Sequence, residues 1–329
     1  VFSLDTGTHI VMGVALGGIA TLDPVVTESS VTATSVLIAT IAGSQIPDID
    51  TVLKLKNNAV YIRNHRGITH SIPAVILWPI LIVGAIYLFQ PEVNLTHLWM
   101  WSQLAVFLHV FVDIFNAYGT QALRPFSNKW IALGIINTFD PFIFILHVLG
   151  IIFWVFGAAP GYTFLGMYAV IIAYYFHRII FKRKLLNIVK TMIPDATEII
   201  IAPTMRNNEW RIAVMNEHQF FVGRSKKLEV KILDQFNRVP VPQTAVLTAA
   251  KKDSNLSAFL SFSPVYRWEM DDYDDHYEVR FIDLRYRSNG HYPFVAVVKL
   301  DNELKILSSY TGWIYSEEKL RKKLEIITS

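Results

Sequence analysis

Four short motifs within the first 113 residues gather histidine and aspartate in the combination that holds divalent cations. They are His9, Pro47-Asp48-x-Asp50, the heptapeptide His65-Arg66-Gly67-Ile68-Thr69-His70-Ser71, and His109-x-x-x-Asp113. His109 and Asp113 are four apart, so on a helix they lie one turn apart on one face and could ligate one ion together. Both sit in an apolar run, where an ionisable group is costly unless paired or functional. Helix capping or helix pairing is the alternative use of such a pair.

The chain has no cysteine, which excludes disulfides and thiolate sites and leaves His nitrogen and carboxylate oxygen as ligands. Such ligands suit zinc, with manganese or iron next. A divalent cation held this way activates water as a nucleophile and polarises a phosphoryl oxygen. Arg66 would steady an anionic group. Whichever of Asp48, Asp50 and Asp140 is not a ligand could serve as general base.

Each residue also has a plainer use. Asp48 and Asp50 follow a proline at a helix end and suit a turn equally well. One of His65 and His70 could be a structural donor rather than a ligand. Asp140 precedes Pro141, where it either caps a helix or adds a carboxylate. His147 and His177 fall on apolar faces and read as hydrogen-bonded helix residues.

The elements that must position these motifs are membrane helices. Hydrophobic residues make up 52% of the 329, and nearly all the long apolar runs precede residue 182, with most charges after it. Roughly 20 apolar residues cross a bilayer as a helix. The clearest such segments are Ile72 to Phe89, Leu95 to Phe115, Phe142 to Phe156 and Tyr162 to Phe181; Thr8 to Leu22 and Val31 to Ile46 are weaker. About six spans are expected, with four spans and two embedded helices as the alternative. The N-terminus lacks a basic n-region and is read as a retained first helix.

With six spans, the even connections carry Lys54, Lys56, Arg63, Arg66, Arg124, Lys129, Lys182, Arg183 and Lys184, while the odd ones carry only Asp23, Glu28 and Glu92. The positive-inside rule then puts both termini in the cytoplasm of a multi-pass protein of the bacterial inner membrane. The same orientation brings His9, Asp48, Asp50, His65, His70 and the end of span four to one face. His97, on the other face, reads as an interfacial residue.

After Thr197 the pattern changes to short alternating stretches separated by turn-formers, as in Trp210-Arg-Ile-Ala-Val and Phe294-Val-Ala-Val-Val. The fold class is therefore α + β: a transmembrane helical domain over 1–184, then a cytoplasmic antiparallel β-rich domain over 185–329. Helices are expected at Thr244 to Ser261 and at Glu317 to Ile327. The run Asp271, Asp272, Asp274, Asp275 lacks the pattern of an EF-hand and reads as a solvated loop.

With these motifs in order over roughly residues 5 to 180, the sequence resembles the membrane-bound metal-dependent hydrolase family of YdjM-like proteins, in its YfhP-like branch. The motif order is distantly similar to that of the zinc-dependent phospholipase C and P1 nuclease group, helical enzymes that cleave phosphate esters. That likeness implies that Asp113 bridges two metals with His109 as neighbouring ligand, that Asp48 or Asp50 and one of His65 and His70 complete the first ion, and that His9 faces the second. A later H-x-x-x-E pair is missing, which implies one or two ions rather than three.

The expected partners are the lipid bilayer and a lipid head group or other membrane-associated phosphoester. A non-catalytic protein with a structural metal site is the alternative from another class, and a nuclease-like phosphodiesterase is a third. The net charge of +3 and the few basic residues near the motifs argue against nucleic acid.

Overall fold

A computed structural model describes residues 4–55 and 58–325. Lys56, counted above among the loop charges, and the last two residues of the expected tail helix, Ile326 and Ile327, lie outside the described residues. The helices of the first half are α1 (Leu4–Ile19), the single turn α2 (Pro24–Thr27), α3 (Ser30–Gly43), α4 (Asn58–Asn64), α5 (Ile72–Phe89), α6 (Leu95–Asp113), α7 (Pro141–Val155) and α8 (Pro160–Met192). The chain divides into two compact units. One takes the chain up to Asp50, His65–Arg183 and Pro203–Asn207; the other takes Thr51–Asn64, Lys184–Ala202 and the chain from Asn208 onward.

In the helical unit, side chains just outside α3, α5, α6 and α7 fix their starts. Ser29 accepts from the Thr32 N–H, Ser71 from Ala74, Asn94 from His97, and Asp140 from Phe142 and Ile143. Small residues then let the helices close up. A Cβ on Gly13 of α1 would stand 2.7 Å from the Ile41 Cα of α3, and one on Gly43 of α3 would stand 2.9 Å from the Ala105 Cβ of α6. Val36, Ala39, Leu98 and Val106 form one buried cluster; Ala15, Phe164, Met167 and Ile171 belong to another.

The outer faces stay apolar. Ile76, Leu77, Ile80 and Leu81 on α5 and Leu165, Ile172 and Phe176 on α8 are all exposed, a surface that water does not tolerate over such an extent. Four helices among the described residues are long and apolar enough to cross a membrane: Ser30–Leu53, which adds the 3₁₀ stretch Ile46–Leu55 to α3, then Ile72–Phe89, Leu95–Asp113 and Pro160–Met192. Thr6–Leu22 and Pro141–Val155 are shorter apolar helices. The segment from Val31 thus gains length from its 3₁₀ extension, whereas that from Phe142 is stopped at Val155, with Gly157 at φ 92° close behind.

The second unit holds two four-stranded sheets. The first is β1 (Glu198–Pro203), β2 (Glu209–Met215), β3 (Gln219–Lys226) and β4 (Glu229–Asn237) in that order, with β2–β3 and β3–β4 antiparallel. The second is β5 (Tyr266–Asp272), β6 (His276–Asp283), β7 (Phe294–Asp301) and β8 (Ile306–Trp313), antiparallel throughout. Between them lie α9 (Ala245–Ala250) and α10 (Ser254–Phe262), broken where Asp253 caps the second helix. Phe259 of α10 stacks on Phe294 of β7 with centroids 5.5 Å apart. The final helix α11 (Glu317–Glu325) seats Leu320 and Leu324 beside Val297 and Tyr310. The acidic run from Asp271 forms the exposed tip of the β5–β6 hairpin, as a solvated segment should.

Candidate metal centre

Three elements of the helical unit carry the motifs to one point. The 3₁₀ continuation of α3 supplies Asp48 and Asp50, the last turn of α6 supplies His109 and Asp113, and the turn before α5 supplies the heptapeptide. That turn is held in an uncommon conformation, with Arg66 at φ 59°. A bulky residue pays about 1–3 kcal/mol for such a backbone, which persists only where its surroundings fix it. Here the Arg66 N–H donates to Asp50 Oδ2 at 2.8 Å, and its carbonyl accepts from Thr120 Oγ1 at 3.0 Å and the Gln121 N–H at 2.9 Å. Trp78 of α5 donates its indole N–H to the Thr69 carbonyl at 3.0 Å, tying the turn to the helix it precedes. The result aims the buried guanidinium inward, with Arg66 Nε 3.1 Å from Asp113 Oδ2.

Hydrogen bonds at the far side of each histidine decide what its near side offers. The Ser44 carbonyl can only accept, so His109 Nδ1 donates to it at 2.7 Å. Thr69 Oγ1 gives its one proton to Asp50 Oδ2 at 2.7 Å and therefore accepts from His70 Nδ1 at 3.0 Å. Burial also holds His70 below its ordinary pKa, favouring the neutral ring. Neutral rings that donate through Nδ1 present Nε2 as a lone pair. His70 Nε2 lies 3.3 Å from Asp113 Oδ2 and 3.6 Å from Asp48 Oδ1, and His109 Nε2 lies 3.7 Å from each of the same two oxygens.

Four acceptor atoms thus converge: Asp48 Oδ1, His70 Nε2, His109 Nε2 and Asp113 Oδ2 all lie within 4.8 Å of one another. All four are buried without a hydrogen-bond partner. A single buried unsatisfied group costs about 1–3 kcal/mol, and lone pairs facing one another add repulsion. A cation at their centre satisfies all four at once, and the two carboxylates exceed the one guanidinium beside them. The residues fit a divalent metal.

The other expected residues have distinct places. His9 stacks on His109 with ring centroids 3.9 Å apart, and its Nε2 is 3.6 Å from Asp113 Oδ1. Asp50 forms a second group with Asp48 and His65, yet its oxygens are filled by His65 Nδ1 at 2.7 Å, the Arg66 N–H and Thr69. It orients the heptapeptide from behind. Asp140 caps α7 through Oδ1 and accepts from Tyr174 Oη through Oδ2 at 2.9 Å. His147 donates to the Ile143 carbonyl at 2.8 Å, the satisfied helix histidine that its apolar face suggested. His97 pairs with Asp23 at 2.6 Å, away from this cluster.

Three contributors were not singled out from the sequence: Thr69, which links His70 to Asp50 by hydrogen bonds, the Ser44 carbonyl, and Asn116, whose side chain donates to Asp113 Oδ1 at 3.2 Å while accepting from the Tyr118 and Gly119 N–H groups. Ser44 and Asn116 could have been found by counting one helical turn back from Asp48 and one forward from Asp113. Beside the cluster lies a cavity of about 430 Å³ between α1, α6, α7 and α8, with His9, Asp113 and Asp140 in its wall.

Comparison with known proteins places this arrangement. Residues 4–185, more than half of the chain and including every motif described, match the model of the YdjM inner membrane protein family. The chain belongs to the YdjM family. Residues 194–236 match the YfhP middle domain and residues 245–324 the YfhP C-terminal alpha/beta plait domain. The Bacillus subtilis (strain 168) relative described as "Uncharacterized protein YfhP" is 64% identical over 324 residues, covering 98% of this chain and 99% of that protein. No solved structure matches the chain. The YdjM-like, YfhP-branch resemblance read from the motifs is thereby shown, and this YdjM family member is a membrane protein with a buried Asp/His cluster that could hold a metal ion.

Proposed function

We propose that this YdjM family member is a membrane-embedded, metal-dependent hydrolase that acts on a phosphoester such as a lipid head group at the cytoplasmic interface. The observation that carries the reading is the convergence of four buried acceptor atoms without hydrogen-bond partners, one of them ion-paired to Arg66, in which hydrogen bonds to Ser44 and Thr69 turn both imidazole lone pairs inward. One or two ions, zinc first and manganese or iron next, suit two nitrogens and two oxygens. The cation, when bound, activates water and polarises the phosphoryl oxygen.

The chain's own residues do the rest. Arg66, buried beside Asp113, supplies fixed positive charge for the anionic ester. Asp50 and Asp140 have both oxygens engaged by hydrogen bonds, so the base role falls to Asp48 through Oδ2, while its Oδ1 faces the metal. Six spans with both termini in the cytoplasm follow from the loop charges if the two shorter helices also cross.

A second reading has specific support. Four protein ligands within reach of one another match a closed structural site, whereas catalytic sites keep a position open. The test is a panel of phosphoesters assayed with purified protein in lipid nanodiscs: phospholipids, nitrophenyl phosphate, bis-nitrophenyl phosphate and oligonucleotides. The hydrolase reading expects metal-dependent turnover of a phospholipid or small phosphoester, abolished by Asp48→Asn. Stoichiometric metal with no turnover on any member favours the structural site, and turnover of oligonucleotides alone favours a nuclease.

A further inference from the structure

The wall of the cavity beside the cluster is mostly aliphatic and aromatic, as at Met12, Ile143 and Ile171, and it reaches the cluster at His9 and Asp113; Asp140 and His147 also line it. Its volume of about 430 Å³ falls within the roughly 300–1,000 Å³ of small-molecule sites. Phe111 of α6 and Ile172 and Phe176 of α8 are both wall residues and surface residues, exposed by 43%, 56% and 62%. The cavity therefore opens sideways between α6 and α8, through the apolar surface that a bilayer would cover. A water-soluble substrate would gain nothing from such a mouth.

Resting on the hydrolase reading, we infer that this cavity seats one hydrocarbon chain of an anionic phosphoester lipid, entering from the bilayer between α6 and α8, with its phosphate end at His9 and Asp113. The apolar wall selects the chain, and His9 and Asp113 mark where its phosphate end meets the cluster. The chain also keeps bulk water away from Asp113, so that Arg66, 3.1 Å from that carboxylate, acts through a medium of low dielectric. Substrates with a tail are thus aligned by their tail, and the reacting ester is presented end-on to the cluster.

Photolabelling in phosphatidylcholine nanodiscs tests this with the full chain. The probe is decyl phosphate bearing a terminal diazirine, and labelled residues are mapped by mass spectrometry. The expected result is labelling of Met12, Ile143 and Ile171, which are only 4%, 6% and 4% exposed and face the cavity. Unlabelled alkyl phosphates should compete about fourfold better per added methylene until the cavity is filled. Ile171→Trp should lower labelling of Met12 and Ile143 at least tenfold with bound metal unchanged; should that variant not fold, Ile143→Trp fills the cavity from α7. Labelling confined to the outer face of α5, at Ile80, Leu81 and Phe89, overturns the inference. Equal labelling by the neutral decyl alcohol probe overturns the assignment to a phosphoester. Labelling does not depend on turnover, so failure of the hydrolase reading leaves the labelling result standing, whereas turnover of nitrophenyl phosphate in the phosphoester panel without cavity labelling removes this inference alone.

Discussion

At the scale of single residues, the two aspartates five and seven positions past the end of α3 have separated into different tasks. The sequence pattern Pro47-Asp48-x-Asp50 treats them alike, and nothing in spacing could divide them. Hydrogen bonds do: Asp50 accepts from His65, Arg66 and Thr69, while Asp48 turns a partnerless oxygen toward His70 and His109. Thr69 completes a relay from His70 to Asp50 that fixes the ring and its tautomer. Outer partners of this kind typically change metal affinity about 10–100-fold when removed. Thr69→Val should therefore weaken metal binding by about that factor, read by competition with a chromogenic chelator, while Thr69→Ser restores it. An unchanged affinity in Thr69→Val would show that the tautomer is held by something else. His109 and Asp113 were legible because helical spacing puts them on one face, and His70 was legible within its heptapeptide. The relay was not, because a threonine hydroxyl takes its role only from the geometry around it.

At the scale of elements, the small residues that make Val31 to Ile46 a weak span by composition are what let α3 approach its neighbours. Gly43 lies where α3 meets α6 just before the metal motifs begin, and any Cβ there meets Ala105. Gly43→Val should cost about 1–3 kcal/mol of stability by overpacking. A thermal melt of the detergent-solubilised protein should show a lowered Tm, whereas Gly84→Ala on α5, with nothing within 4 Å, should leave it near the wild-type value. In the second unit, Tyr292 donates to Asp234 at 2.5 Å and Arg287 pairs with the same carboxylate. The hydrogen bond from Arg287 holds the Asp234 carboxyl below its ordinary value, outweighing slight burial. A depressed folded pKa contributes stability that is present above the unfolded value near 3.8 and lost as pH falls through the folded value. Acid titration of unfolding below about pH 4 should therefore be shallower in Asp234→Asn than in wild type; an identical acid limb would remove Asp234 from the cause. β2 and β7 coincide with the alternating stretches quoted from the sequence, although β7 is buried along most of its length. β3, β5, β6 and β8 interleave polar and charged residues such as Arg224, Glu269 and Arg280, whose pairing partners are set by register rather than by local pattern.

At the scale of the whole molecule, a membrane protein was legible from apolar length, but the number of crossings was not. Length alone separates four helices from two shorter ones, and whether 15 residues of α7 cross depends on how neighbouring helices and lipid accommodate them. The proposed orientation predicts that a reporter fused after Ser329 is active only in the cytoplasmic form; an extracellular reporter would reverse the placement of the cluster at the cytoplasmic side.

The central claim is that Asp48, His70, His109 and Asp113 hold a divalent cation. Elemental analysis of detergent-purified protein tests it directly, comparing wild type with His109→Ala, Asp113→Ala and, as a control outside the cluster, His177→Ala. The account predicts stoichiometric metal in wild type and His177→Ala and its loss in both ligand variants that remain folded by circular dichroism. Full metal occupancy in His109→Ala and Asp113→Ala would contradict it.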